Sequence, residues 1–401
     1  MGEHMSPGEH MIAALLREAH LATPHDVPDV VARSAAAIGA RETAIYVADV
    51  EQVHLVPVPG RNTPPREPLV IDATLAGLAY RAIEVLDVGA DGGRHVWLPL
   101  LDGMERIGVL GVTVDELDER TAGWCRLLAS LVGQIVVAKR SHSDTYARLT
   151  RSRAMSLQAE MQWALMPPTT HGTDRVIISG LIEPAYEVGG DAFDSAFIDG
   201  GAYIAVFDAM GHDLSAGLIA SVAVAAFRTG RRRGQALPGI AAAIDGAIGQ
   251  QFRQERFVTG LLAHLDLGSG ILRWVNCGHP APLLLRGGKV VKTLGCPPVP
   301  PMGLGLWQEP PVLCEESLEP GDLVLCYTDG VVEARSPEGE MFGTGRLADF
   351  VIRQAAAGLT APETLRRLIH AILGHHRDHL PDDATVLFVH WASGTEQRFL
   401  L

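Results

Sequence analysis

A buried strand that ends on an ionised carboxylate is expensive to build, and this chain builds several. Between Tyr186 and Ser221 it reads YEVGGDAFDSAFIDGGAYIAVFDAMGHDLSAGLIAS. Gly189 and Gly190 precede Asp191, and glycine lets a backbone bend tightly. Asp194 follows, and the apolar run from Ala202 to Phe207 reads as a buried strand that ends on Asp208. Met210-Gly211-His212-Asp213 then turns the chain into a small-residue helix from Leu214. On this stretch alone, two solvated turn aspartates are an equally good reading. Far downstream the pattern repeats. Leu323 to Tyr327 is an apolar strand followed by Thr328, Asp329 and Gly330, and Asp382-Asp383 opens the strand from Ala384 to His390. Carboxylates gathered at the ends of buried strands need a cation between them, because desolvated charge without a partner is costly. Asp191, Asp208, Asp329 and Asp382 together predict a hard-cation site, since Mg2+ and Mn2+ take carboxylate oxygens and water and need neither His nor Cys. Two such ions about 3.5–4 Å apart clamp a phosphate and activate a water as nucleophile.

Composition narrows the remaining classes. The 401 residues are 47% hydrophobic and 20% charged, enough for two or three domains with sizeable cores. A formal net charge of −14 argues against an extended nucleic-acid surface. The basic clusters Arg231-Arg232-Arg233 and Lys139-Arg140 read as solvated helix ends. The five cysteines are scattered without a C-x-x-C pair, which predicts free thiols in a reducing compartment. No apolar run approaches the roughly 20 residues of a membrane helix, and the N-terminus lacks the order of a signal peptide. The expectation is a soluble cytoplasmic protein without membrane or nucleic-acid partners.

The N-terminal third alternates helices, near Met11 to Ala22 and Val27 to Ile38, with strands near Thr43 to Ala48, Val53 to Pro57, His95 to Leu100 and Ile107 to Val114. That order predicts an α+β domain over residues 8–138. The segment WLPLLDGMERIGVLGVTV, followed by a long apolar helix, resembles the GAF family of sensor domains, which implies a small-molecule ligand or a dimerising role. Thr121 to Met166 then reads as one long helical pattern. Trp124, Leu128, Leu131, Ile135 and Ala138 recur at 4-3-4-3 spacing, and the stripe resumes at Ala154, Leu157, Met161 and Ala164 before Pro167-Pro168 stops it. Residues 139–167 are expected to form a helical linker that joins two chains as a homodimer and carries regulatory input.

Beyond Val176, batches of strands separated by pairs of helices predict a helix–sheet–sheet–helix sandwich over residues 168–393. The ordered motifs EVGGDAFD, VFDAMGHDLSAGL, NCGHPAPLLL, LCYTDGVVEAR and PDDATVLFV resemble the metal-dependent PPM (type 2C) protein phosphatases. More closely they resemble the SpoIIE/RsbU branch, and MQWALMPP (Met161 to Pro168) is similar to that branch's entry helix. The resemblance covers about residues 155–392. It implies an αββα sandwich holding two Mn2+ or Mg2+ ions, with a phosphoserine or phosphothreonine protein of the anti-anti-sigma type as substrate. On the same resemblance Asp208 bridges both ions, Asp191 binds one, and Asp329 and Asp382 bind the other. The backbone carbonyl of Ala209 completes a metal shell. Asp383 is expected to orient Asp382, and Asp194 to support the ligands unless it is a solvated turn residue. His212 and His279 are expected to pack or hydrogen-bond. Asp213 departs from the family's usual glycine, and no arginine in the first motif is available to grip phosphate.

The expected fold class is therefore α+β: a C-terminal αββα sandwich preceded by a GAF-like domain and a helical connector. The expected function is two-metal phosphoprotein hydrolysis, regulated by the N-terminal domain. The alternative is a catalytically weak, partner-binding regulator of the same fold. Loss of one of the four acids would mark it, and none is lost.

Overall fold

The computed structural model describes residues 5–90, 92–297, 299–376, 380 and 382–392. The chain divides into two compact units, the first running to Arg153 and the second beginning at Ala154. Ser393, where the C-terminal domain is expected to end, lies outside the described residues.

The first unit has α+β content, as expected. Its elements are α1 (Pro7–Ala19), α2 (Val27–Ala35), β1 (Ala40–Ala48), β2 (His54–Pro57), β3 (Leu69–Val70), α3 (Leu75–Ala82), β4 (Leu86–Ala90), β5 (Gly93–Asp102), β6 (Glu105–Val114), α4 (Glu119–Arg140) and α5 (Asp144–Thr150). Ser6 and Glu9 start α1 with a reciprocal capping box. The strands form one sheet in the order β3-β2-β1-β6-β5-β4. Because side chains alternate across a strand, the sheet buries both faces. Ile45, Leu98 and Leu110 pack with Met11, Leu15, Val31, Leu128 and Val132 of α1, α2 and α4. Tyr46, Leu55 and Val109 pack with Ala76, Ala79 and Tyr80 of α3.

Two expectations fail here. Helix α4 has 22 residues and an 18-residue window of mean hydropathy 1.4, so one segment does have the length and composition to cross a bilayer. Its Cys125, Leu128, Ala129, Val132 and Val136 are buried in the core just described, as the core helix of a folded domain requires. The single helix expected from Thr121 to Met166 is also absent. Helix α4 ends at Arg140, α5 is separate, and α6 spans only Leu157–Leu165. Ser143 accepts from the Thr145 backbone N–H and Ser156 from that of Ala159. Serines that cap new helix starts interrupt a pattern that apolar spacing alone would continue.

The second unit runs α6, β7 (Thr170–Gly172), β8 (Val176–Glu183), β9 (Asp191–Ile198), β10 (Gly201–Ala209), α7 (Leu214–Arg232), α8 (Leu237–Gln251), β11 (Val258–Asp266), β12 (Ile271–Cys277), β13 (Leu283–Arg286), β14 (Lys289–Thr293), β15 (Cys314–Ser317), β16 (Leu323–Tyr327), α9 (Asp329–Glu333), α10 (Gly343–Ala356), α11 (Ala361–His375) and β17 (Ala384–Trp391). One sheet has the order β15-β12-β11-β10-β9, the other β14-β13-β16-β17-β8-β7. Phe193, Ile204, Val206 and Leu261 of the first meet Ile178, Val324 and Leu387 of the second in a core between the sheets. The alternate residues face outward. Ala205, Phe207 and Leu262 take α7 and α8 through Ile219, Phe227, Ile240 and Ile244. Leu325, Val386 and Phe388 take α10 and α11 through Leu347, Leu368 and Ile372. This is the αββα sandwich.

The cysteines also depart from expectation. Cys125, Cys277 and Cys326 are free and buried, but Cys296 and Cys314 form a disulfide with Cα atoms 6.1 Å apart. Hairpin β13–β14 and strand β15 lie at the edges of the two sheets, with Lys292 of β14 paired to Glu316 of β15. That meeting of edges brings together cysteines 18 positions apart.

Candidate metal centre

The acids converge because the strands that carry them end together. In the first sheet Asp191 opens β9 and stands directly opposite Asp208, the penultimate residue of β10. In the second sheet β16 and β17 are neighbours, so Asp329, just past the end of β16, comes close to Asp382 and Asp383, just before β17. The two sheet ends are tied by hydrogen bonds. Thr328 Oγ1 and Thr385 Oγ1 both donate to Asp191 Oδ2, at 2.8 and 2.5 Å. Asp383 Oδ2 accepts from the backbone N–H groups of Gly189, Gly190 and Asp191 at 2.8, 2.7 and 3.1 Å. Three convergent N–H donors form a concave anion nest.

Glycine is needed at this turn for close approach, with neither residue in the positive-φ region. A Cβ on Gly189 would lie 2.7 Å from His212 Cα, and one on Gly190 would lie 2.4 Å from the carbonyl oxygen of Ala209. The carbonyl expected to serve as a ligand therefore faces the glycine turn beside Asp191.

Electrostatics separate the acids further. Asp191 is 1% exposed, and burial, then the charges of Asp383 and Asp208, hold its carboxyl well above the usual range. The Asp208 carboxyl is pushed up to about 7 by burial and by Asp329, Asp382 and Asp383, with the Thr259 hydroxyl opposing the shift. Burial, then Asp382 and Glu333, raise Asp329. Among the described residues no Lys or Arg pairs with Asp208, Asp329 or Asp382. Nor do three or more His, Cys, Asp or Glu side chains among them close into a ready-made cation cage. The donor chemistry nonetheless fits a hard divalent cation: carboxylate and carbonyl oxygens, mutually repelling, without a protein cation among them.

The other sequence-predicted residues divide differently. Asp194 lies on the outer face of β9, three positions from Asp191, and is fully buried against α7. It accepts from Arg228 Nε at 2.9 Å and from Arg231, so it is neither a solvated turn residue nor a support for the ligands. Arg231 is likewise buried, correcting its reading as part of a solvated helix end. Asp383 spends its Oδ2 on the nest; its backbone N–H, not its side chain, reaches Asp382 Oδ1 at 2.9 Å. Asp213 caps α7 by accepting from Ala216 N–H at 3.0 Å, which gives a reason for its departure from glycine. His212 is exposed. His279 is buried, and burial depresses its imidazole to about 3, so it is neutral. Thr259, Thr328 and Thr385 escaped sequence reading. Their signal is positional: Thr328 immediately precedes Asp329, and Thr385 follows Asp383 by two.

Residues 198–392 match the family model of Stage II sporulation protein E (SpoIIE). Protein IcfG of Synechocystis sp. is 26% identical over 266 residues, 58% of this chain and 40% of that protein, so the chain spans less than half of that relative's length. Among solved structures, the SiaA-PP2C domain of Pseudomonas aeruginosa is similar at TM-score 0.49 and 21% identity, over 58% of this chain and 93% of that one. The catalytic domain of the serine/threonine protein phosphatase PstP, solved with two manganese ions, is similar at TM-score 0.39 and 18% identity, over 54% of this chain and 99% of that one.

Proposed function

From the SpoIIE-family domain carried by residues 198–392, we propose that the second unit is a metal-dependent protein serine/threonine phosphatase. Its substrate is a phosphoserine or phosphothreonine regulatory protein of the anti-anti-sigma type. The observation that carries this reading is the contrast in satisfaction among the acids: Asp208 and Asp329 have raised carboxyls and no protein cation among the described residues. Asp191, Asp208, the Ala209 carbonyl, Asp329 and Asp382 would hold two Mn2+ or Mg2+ ions, which when bound neutralise the cluster, clamp phosphate and lower the pKa of a water. The chain's own residues keep that site in shape. Thr328 and Thr385 occupy one oxygen of Asp191 and leave the other free, and Asp383 locks the glycine turn that positions Asp191. Purified full-length protein is expected to hydrolyse p-nitrophenyl phosphate with Mn2+, and Asp208→Asn or Asp329→Asn to lower the rate by at least a hundredfold. Activity that persists in EDTA, or in both variants, sinks the reading. The lack of a preformed cage among the described residues favours the second reading, a partner-binding regulator, which a wholly inactive wild type would support.

Regulation by the first unit belongs to the same proposal. Helix α6 is fastened to the elements behind the site. Ser156 N–H donates to Tyr186 O at 2.8 Å, Trp163 Nε1 to Ala185 O at 2.7 Å, and buried Gln162 Nε2 to Gly217 O of α7 at 3.1 Å. A displacement of α6 would reach the Gly189-Gly190 turn through these bonds. In the first unit a cavity of about 160 Å3 lined by Glu42, Tyr46, Arg66, His95 and Trp97 supports a small-molecule ligand of a GAF-like domain. Homodimerisation through residues 139–167 would now involve short helices. A cytoplasmic location suits a phosphatase of signalling proteins, with the Cys296–Cys314 disulfide as a feature against it.

A further inference from the structure

Cys277 of the NCGHP motif belongs to the core, but Asn276, Gly278 and His279 are absorbed by neither the core nor the ligand set. Strand β11 pairs with β10 so that Thr259 stands directly across from Asp208. The Thr259 side chain therefore shares a sheet face with the Asp208 carboxylate, and its hydroxyl opposes the rise in the Asp208 pKa. On its other side the same hydroxyl lies 2.9 Å from His279 Nδ1. His279 is itself held at both backbone ends by one side chain. Asn276 Oδ1 accepts from the His279 N–H and Asn276 Nδ2 donates to the His279 carbonyl, both at 2.8 Å. The imidazole is thus fixed by the turn Asn276-Cys277-Gly278-His279, in which Gly278 takes φ +72°.

We propose that Thr259 and His279 form a buried brace that aims the Asp208 carboxylate and so sets the affinity of the site for a divalent cation. This rests on the phosphatase reading of the same site. A hydroxyl has one proton. When Thr259 gives it to Asp208, the Thr259 oxygen accepts from His279 Nδ1–H. The other order has the ring donating to the Tyr327 backbone through Nε2–H, with Thr259 giving its proton to Nδ1 and none to Asp208. The brace needs the first order, and the variants below separate it from the second. His279 is a positioning residue: it acts on the metal site through Thr259.

Calorimetric titration of the full chain with Mn2+ tests this, with thermal melting in EDTA run on each variant as a check of folding. Partners that orient ligands typically contribute about 10- to 100-fold in metal affinity. Thr259→Val, which keeps the shape and loses the hydroxyl, and His279→Ala are expected to weaken Mn2+ binding by that factor. Thr259→Ser is expected to bind within a few-fold of wild type. His279→Asn, whose amide nitrogen falls near the Nδ1 position, is expected to recover most of the affinity, whereas His279→Gln, whose amide falls near Nε2, is not. Wild-type affinity in Thr259→Val, or equal affinities for the His279→Asn and His279→Gln variants, would overturn the brace. If the wild type itself takes up no Mn2+, the phosphatase reading fails instead.

Discussion

Six aspartates crowd one end of the sandwich in the second unit, and they fall into two groups that sequence alone makes look alike. Asp191, Asp194 and Asp383 are buried, and their oxygens are already spoken for by two threonine hydroxyls, two arginines and three backbone N–H groups respectively. Asp208, Asp329 and Asp382 are more exposed, and among the described residues they have no arginine or lysine and only scattered single donors, such as the Thr259 hydroxyl at Asp208 and the Asp383 N–H at Asp382. Burial is therefore a poor guide to function here. A buried carboxylate with a full set of donors is structure, whereas a partly exposed one that repels its neighbours is waiting for a cation. Asp191 belongs to both groups, since one of its oxygens carries both threonine bonds.

The sharpest way to break the comparison is to remove a satisfied acid. Asp194→Ala leaves Arg228 and Arg231 without their carboxylate, and breaking a buried pair costs about 3–5 kcal/mol. Urea unfolding is expected to register that loss, while Mn2+ binding by whatever protein remains folded stays near wild type. Unchanged stability, or a selective loss of Mn2+ binding, would erase the distinction between the groups.

A smaller effect should appear in the pH dependence of metal-free stability. The Asp208 carboxyl titrates at about 7 in the folded protein against an ordinary value of 3.8. Across that window the folded state binds more protons than the unfolded one, so stability falls as pH rises. In EDTA the melting temperature is expected to drop by a few degrees between pH 4 and pH 7 from this group, and Asp208→Asn is expected to flatten that part of the profile. A wild-type profile unaltered by the substitution would mean that Asp208 is not under the repulsion described.

Much of this site was legible because apolar runs that end on Asp advertise their cost. The ends of β10 and β16, and the start of β17, were each marked that way. The GGD turn was legible for a different reason than the operative one: its glycines admit neighbouring backbone and carry no positive φ. What stayed hidden depends on partners far along the chain. The arginines of Asp194 lie 34 and 37 residues away, and the nest that occupies Asp383 lies 192–194 residues away. Periodicity carries no information on such pairings. The disulfide was hidden for the same reason, since two sheet edges must first meet. Between Thr121 and Met166 the opposite error occurred: a regular stripe suggested one helix where Ser143 and Ser156 start new ones.

The central claim is that the unsatisfied acids, and Asp191 with its free oxygen, hold metal. Crystals grown with Mn2+ and measured for anomalous scattering test it directly. Two peaks at the sheet ends are predicted, both within bonding distance of the Asp208 carboxylate, with Asp329 and Asp382 on one and Asp191 on the other. Asp194 and Asp383 should touch neither. No peak at Asp208 in crystals saturated with Mn2+, or a peak coordinated by Asp194, would contradict the account.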